Sequence, residues 1–485
     1  MAGIGFTLKR LFKKDTFIDR TKAYIYSGIV AAGPWIASVV TVNVMLWVSK
    51  KMLVSPSDRY LFMGTIVYSF IFSQILTAPG HFITTRYISD KLFSKEYVFI
   101  KPCFIGISKI TFFAALFISL AFYYSKPLPL YYKFMAASLF IIISLIWVIT
   151  VFLSAVKDYS IISKAFIGGG LISVCLSILL NYFPISFPLH LSASTMLLSY
   201  LIGMTVTYII VFYSFLDSFY FGNKKNYDFI KYLNKTPSLF FVGLFYTLGL
   251  WVDNILMWYS EHGAIIYGTY RYAPLYDHAV FLAFLTIIPT MILFMVYLET
   301  EFYEVYKKYY SLVSIKGNYD DIVMAKNKMV ELLYRHIVYV LENQTLITFT
   351  LIVLSGAIFS YLGYAILLRD IFRICALGTL SNAIMLVVLL VLLYFEARIQ
   401  AVAVSIIFFA SNLLFNLYFI PLGVAFYGVG YFLAALLSLV VSLVLLRVYL
   451  KNIIYLTFSK QPAFSVEDKG IFVSIAKRLN RNTEE

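Results

Sequence analysis

Apolar segments of membrane-spanning length, divided by short polar breaks, run along almost the whole of this 485-residue chain. Twelve are recognisable, at roughly 24–48, 61–85, 103–124, 131–153, 161–182 and 191–215, then 239–259, 274–298, 345–367, 371–393, 399–420 and 426–446. Each is near the ~20 residues that a helix needs to cross the hydrocarbon. In lipid a spanning backbone satisfies its own polar groups only as a helix or a closed barrel. The pattern predicts an all-α integral membrane protein of about twelve transmembrane helices in two six-helix lobes, 24–221 and 237–448. A polar, basic linker, 222–236, divides them.

Three stretches depart from the spanning pattern. Residues 1–23 place Ile4, Leu8, Leu11 and Phe12 opposite Lys9, Arg10, Lys13 and Lys14, which predicts a basic amphipathic helix in the membrane interface. Residues 299–344 are too charged to cross. Gly317-Asn318 breaks them, and Val330, Leu333, Ile337 and Leu341 then follow helical spacing, predicting a cytoplasmic helical hairpin that lies on the membrane or on a partner protein. Residues 449–485 form a basic tail.

Composition supports the membrane reading: hydrophobic residues make up 61% and charged residues 13%, against about 25% charged in a soluble chain. The net charge of +15 invites a nucleic-acid partner, but its distribution removes the need for one. Lysines and arginines concentrate in the N-terminal arm, the second–third, sixth–seventh and eighth–ninth connections and the tail, all on one side of the twelve-span topology. That bias places both termini in the cytoplasm. Lys109, inside the third span, belongs to neither side.

Cys103, Cys175 and Cys375 lie in or beside apolar stretches without C-x-x-C spacing, so buried packing is expected rather than a metal site or disulfide. The run Gly168–Gly170 reads as helix-packing glycine. No phosphate-binding G-x-x-x-x-G-K-[ST] pattern occurs, and no cofactor is expected. Any energy then comes from an ion gradient, a partner, or polymer synthesis pushing substrate through.

Candidate chemistry gathers at the seventh and eighth spans. Asp253 and Asn254 stand in the body of the seventh (GLWVDNILMW) and Pro289 in the body of the eighth (LAFLTIIPTMILF). A carboxylate in a span costs ~2.5–3.5 kcal/mol on insertion scales, so it faces a partner or a wet cavity. The proline leaves a backbone carbonyl for protein or water to satisfy. Asp253 is either a substrate- or cation-contacting group or the centre of a structural bond, to Arg271 or Arg373. Arg271, Asp277 and His278 flank the outer mouth of the eighth span, whereas His81 and Arg86, near Pro79, flank an inner mouth, Arg86 doubling as a positive-inside anchor. A weak repeat pairs the second span with the eighth through Pro79 and Pro289, and the first with the seventh through Asn43 and Asp253. Glu299, Glu301 and Glu304 stand where positive charge is usual; they can dock a basic partner, or Glu304 can pair locally with Lys307 and Lys308.

The opening MAGIGFTLKRLF, the AAGPW of the first span, YDHAVFLAFLTIIPT followed by LETEFYEVYKKYY, and FRICALGTL with LLYFEAR in the tenth resemble the Pel exopolysaccharide transporter family, PelG. That family belongs to the multidrug/oligosaccharidyl-lipid/polysaccharide flippase superfamily. The resemblance runs through the whole chain. It implies a two-lobed, MATE-like flippase fold, no enzymatic activity, and export of a partly cationic, N-acetylgalactosamine-rich exopolysaccharide for biofilm matrix. It also implies, as partners, a cytoplasmic glycosyltransferase (PelF-like), a cyclic-di-GMP receptor (PelD-like) and a PelE-like membrane subunit. Competing readings are a cation-coupled multidrug exporter of the same superfamily, an integral-membrane glycosyltransferase, and a membrane scaffold for the polysaccharide synthase. The first would favour buried carboxylates in the N-terminal lobe, and the second needs sizeable outward loops; the chain has neither feature.

Overall fold

The computed structural model describes residues 17–52, 54–156, 159–182, 192–219, 225–314, 317–459 and 470–484. The amphipathic N-terminal helix expected over 1–23 falls almost wholly outside them. Twelve helices are long and apolar enough to cross a membrane, matching the twelve segments of the sequence. In chain order the first six are α1 (Phe17–Lys51), α2 (Pro56–Phe93), α3 (Ile100–Tyr123), α4 (Leu130–Val156), α5 (Tyr159–Tyr182) and α6 (Ser192–Ser218). The seventh is α7 (Pro237–Trp258). The eighth span consists of two pieces, α8 (Pro274–Leu285) and α9 (Ile288–Tyr297). After α10 (Tyr303–Ser314) come α11 (Tyr319–Tyr361), α12 (Ile366–Tyr394), α13 (Arg398–Phe419) and α14 (Val429–Lys451), and finally α15 (Ile471–Glu484).

The helices divide into two compact units, and the chain changes unit inside α1, at Ala32–Gly33, and inside α7, at Trp251–Val252. One unit holds Gly33–Trp251, His262–Tyr272 and Asp468–Glu485. Here α4 packs between α2, α3 and α6, and α5 lies along α6. A Cβ on Gly169 of α5 would collide with the Gly203 carbonyl of α6, and one on Gly203 with the Gly169 carbonyl, so the glycine run does bring helix backbones together. Gly203→Val should therefore destabilise the protein by about 1–3 kcal/mol through overpacking. Thermal unfolding in detergent checks it, and an unchanged midpoint would contradict the close approach. Cys103 is buried, as expected; Cys175 is not, because α5 turns it outward, away from its contact with α6.

The same unit contains an element that the all-helical reading passed over. β1 (Ala264–Ile266) and β2 (Tyr270–Tyr272) pair antiparallel in the register Ala264↔Tyr272. Tyr267 and Gly268 both have positive φ, 46° and 59°, and the Thr269 N–H returns to the Ile266 carbonyl at 2.9 Å, a hairpin turn whose twist matches its strands. Tyrosines anchor it. The Tyr68 hydroxyl accepts from the Arg271 N–H (3.0 Å) and donates to the Arg271 carbonyl (2.9 Å). Tyr267 donates to Asp58 (2.9 Å), and the Tyr270 and Tyr123 hydroxyls bond at 2.6 Å. Burial pushes the Tyr270 phenol up to about 12, which keeps it a neutral hydrogen-bonding group.

The other unit holds the start of the chain, Val252–Glu261 and Ala273–Glu467. Here α12 is the buried centre, packed by α8, α11 and α14, with α13 along α14. Cys375 is buried within α12. Within the charged stretch 299–344, α10 and the first part of α11 pack on each other, but α11 continues without a break into the ninth span. Its buried positions up to Gln344 are Ile322, Ala325, Met329, Leu333, Ile337, Val340 and Gln344, so the face that packs inward is turned slightly from the one that Val330 and Leu341 suggested.

Candidate functional site

The pattern around Asp253 results from two helix faces and one helix start. Near its C-terminal end α7 presents Asp253, Asn254 and Trp258, all buried; α8 begins at Pro274 and brings Tyr276 and Asp277 beside them; α13 supplies Asn412 and Asn416. Asp253 is 1% exposed. Its Oδ2 accepts from the Tyr276 hydroxyl at 2.6 Å and its Oδ1 from Asn412 Nδ2 at 3.2 Å. Asn416 Nδ2 in turn donates to Asn412 Oδ1 at 2.6 Å, fixing the amide that faces the carboxylate. Among the described residues no lysine, arginine or histidine pairs with Asp253. Neutral donors hold the charge in place without cancelling it. A buried carboxylate of that kind attracts a cation, an amine or a proton.

Asp277 has a different role. It accepts from Asn254 Nδ2 (2.8 Å), from Trp258 Nε1 (3.0 and 2.9 Å) and from the Ala273 N–H (2.9 Å). It fastens the end of α7 to the first turn of α8, where a carboxylate also meets the positive end of the helix dipole. Asn254 spends its amide N–H on Asp277, and its buried Oδ1 has no hydrogen-bond partner.

Where the eighth span breaks, Pro289 sits in the first turn of α9, the position a proline tolerates because it needs no N–H there. The chain between the pieces turns tightly, with Thr286 N–H bonded to the Ala283 carbonyl (3.0 Å) and Ile287 N–H to that of Phe284 (3.1 Å). Gln344, fully buried on α11, closes the gap. Its Nε2 donates to the Thr286 carbonyl (3.1 Å) and to Thr348 Oγ1 (3.2 Å), and its Oε1 accepts from the Thr290 hydroxyl. The Thr286 carbonyl at the break is thus satisfied by protein. Because Gln344 is level with Thr286 and Thr290 in the body of the eighth span, the charged first part of α11 enters the span before Gln344 rather than after it. By contrast α2 runs unbroken through Pro79, so the two prolines of the repeat behave differently.

The remaining expected residues are scattered. Arg271 lies in β2 and Asp277 in α8, in different units, although they are neighbours in sequence. Arg373 donates from Nε to Ser355 Oγ (2.8 Å) and lies 3.6 Å from Asp370, so it is not the partner of Asp253. Arg86 pairs with Asp90 at 3.2 Å. His81 has a buried Nε2 without a hydrogen-bond partner. Asn43 is exposed and bonds back to the Val39 carbonyl at 2.9 Å. Glu301 lies 3.3 Å from His336 Nε2, beside a π-helical turn at Leu298–Phe302 and a small apolar pocket lined by Phe294, Tyr297, Leu333 and Val391. Glu304 is exposed, and the Glu299 side chain is outside the description. Among the described residues no cluster of histidine, cysteine or carboxylate side chains has the make-up of a metal site.

The family model of PelG, an exopolysaccharide exporter (EPS-E), matches residues 1–458. The chain belongs to the PelG family. Its members are exporters, so the chain is read as a multi-pass membrane transporter and not as an enzyme. No curated protein matches it by sequence. Solved structures similar to it include a point mutant of the Vibrio cholerae MATE transporter VcmN, with a TM-score of 0.64, 12% identity, and 93% of this chain and 98% of that one covered. An outward-facing multidrug resistance MATE transporter of the MOP superfamily gives 0.59 at 13% identity, covering 90% and 97%. A MOP superfamily transporter from Pyrococcus furiosus, described as having a binding pocket of reversed polarity, gives 0.54 at 13% identity, covering 89% and 96%. At these identities the likeness establishes the MATE-like fold alone.

Proposed function

We propose that this PelG-family exporter moves a Pel-type glycan, rich in N-acetylgalactosamine and partly cationic, across the cytoplasmic membrane, and that Asp253 is where the glycan's free amines make contact. The observation that carries this reading is the Asp253 carboxylate, held by Tyr276 and Asn412 with no cationic partner among the described residues, inside a chain of an exopolysaccharide exporter family. An amine-bearing sugar supplies the positive charge that the protein withholds. Asn254, whose Oδ1 has no hydrogen-bond partner among the described residues, joins Asp253 as the path residue we retain. Asp277, Arg86 and Arg373 already have structural partners, and Arg271 is engaged through its backbone. Both termini face the cytoplasm, as the distribution of basic residues requires.

The proposed partners are a PelF-like glycosyltransferase on the cytoplasmic side and PelD- and PelE-like subunits. The hairpin of α10 and α11 is the dock, with Glu301 and Glu304 on its surface. Changing both to lysine should lower co-purification of the glycosyltransferase, and an unchanged yield removes the dock from the account. The function itself is tested in cells that keep the glycosyltransferase but lack this chain. Extracellular hexosamine polymer should disappear and return with the wild-type gene. Normal extracellular polymer, with greater sensitivity to cationic drugs, would instead favour a cation-coupled drug exporter.

A further inference from the structure

One face of α3 turns away from its unit. Phe113 (65% exposed), Phe117 (74%), Leu120 (62%) and Tyr124 (89%) follow one another along it at three- and four-residue spacing, and Lys109, also exposed, begins the series. The other face, with Phe104, Ile107, Thr111, Ala115 and Ser119, is buried.

The depth of Lys109 makes its exposure informative. It stands about 14 Å of helix rise from Ile100 and about 21 Å from Tyr123. This is near the middle of a ~30 Å hydrocarbon layer. Lysines near helix ends escape lipid by snorkelling, but Lys109 is near neither end. Among the described residues it has no hydrogen-bond or ion-pair partner. An exposed cation at that depth needs an anion, and the aromatic stripe around it offers the apolar contact that a neighbouring helix would bury.

We infer that this face of α3 receives a transmembrane helix of a different protein, one that carries an aspartate or glutamate at the depth of Lys109. A second copy of this chain does not fit. Its carboxylates at membrane depth, Asp253 and Asp277, are engaged inside their own unit, and Asp58 is buried against Tyr267. The inference rests on the membrane placement of α3, independently of which glycan the chain exports.

The test uses the full chain in its native membranes, with a photocrosslinking residue in place of Phe117. Crosslinked peptides should map to an apolar segment of another protein containing Asp or Glu. Lys109→Glu should reduce that crosslink by more than about tenfold, as expected when like charges replace a buried pair. Lys109→Arg should keep it, with both variants present at wild-type level. If Lys109→Glu proves unstable, Lys109→Leu replaces it, since lipid tolerates leucine and only the ion pair is lost. Crosslinks only to lipid or to this chain, a partner segment without a carboxylate, or a crosslink unaffected by Lys109→Glu or Lys109→Leu would overturn the inference.

Discussion

Asp253→Ala should lower polymer export by more than about tenfold, equivalent to ~1.4 kcal/mol of lost interaction, while the chain accumulates in the membrane at close to the wild-type amount. The structure explains why the two readouts separate. Among the described residues Asp253 carries no ion pair whose loss would strand a second buried charge, a strongly destabilising change. Its removal leaves the Tyr276 hydroxyl and one Asn412 N–H unpaired, which is a modest penalty if water reaches them. Asp253→Asn sharpens the test. Asparagine keeps the shape and can still accept from Tyr276, but it presents no charge. If the charge meets the glycan amines, Asp253→Asn exports as poorly as Asp253→Ala. If Asp253 serves packing alone, the asparagine restores export.

Gln344→Leu should have the larger effect on the folded state. Three hydrogen bonds end on that one side chain: one, to Thr348, stays within α11, and the other two tie the break of the eighth span, at Thr286 and Thr290, to α11. Interhelical bonds in membrane proteins average ~0.6 kcal/mol, so losing the two to the eighth span amounts to about 1 kcal/mol before any further penalty for the Thr286 carbonyl. That carbonyl lies in the turn between α8 and α9, outside both helices. Thermal unfolding in detergent should show a clearly lowered midpoint for Gln344→Leu and a smaller drop for Thr290→Val, which removes a single bond. Equal midpoints for Gln344→Leu and the wild type would mean that the break is held by packing and not by the glutamine.

The twelve spans were legible because hydropathy and length alone specify them, and Pro289 was visible as a residue that brings no N–H to its helix; the break of the eighth span into two pieces was not legible, since α2 runs unbroken through Pro79. What fills that break was not legible. Gln344 stands where charged sequence gives way to apolar, so it reads as the edge of a cytoplasmic arm, and only the rigid continuity of α11 carries it to the level of Thr286. Asp253 and Asn254 were visible as polar residues in an apolar run, whereas Tyr276 is one of 40 tyrosines and nothing local distinguishes it. Asn412 and Asn416 did carry a signal, two amides four residues apart in an apolar span, which places both on one helix face. The hairpin had one as well: Tyr267-Gly268 between two short runs rich in β-formers. Proximity in sequence misled for Arg271 and Asp277. The chain changes from strand to helix at Ala273 and leaves them in separate units.

The most direct measurement of the central claim uses inverted membrane vesicles containing this chain and the glycosyltransferase, fed with labelled nucleotide sugar on the outside. The account predicts polymer that accumulates in the lumen, protected from added glycosidase, with protection lost in Asp253→Ala vesicles. Polymer that stays fully degradable outside vesicles carrying the wild-type chain would contradict it.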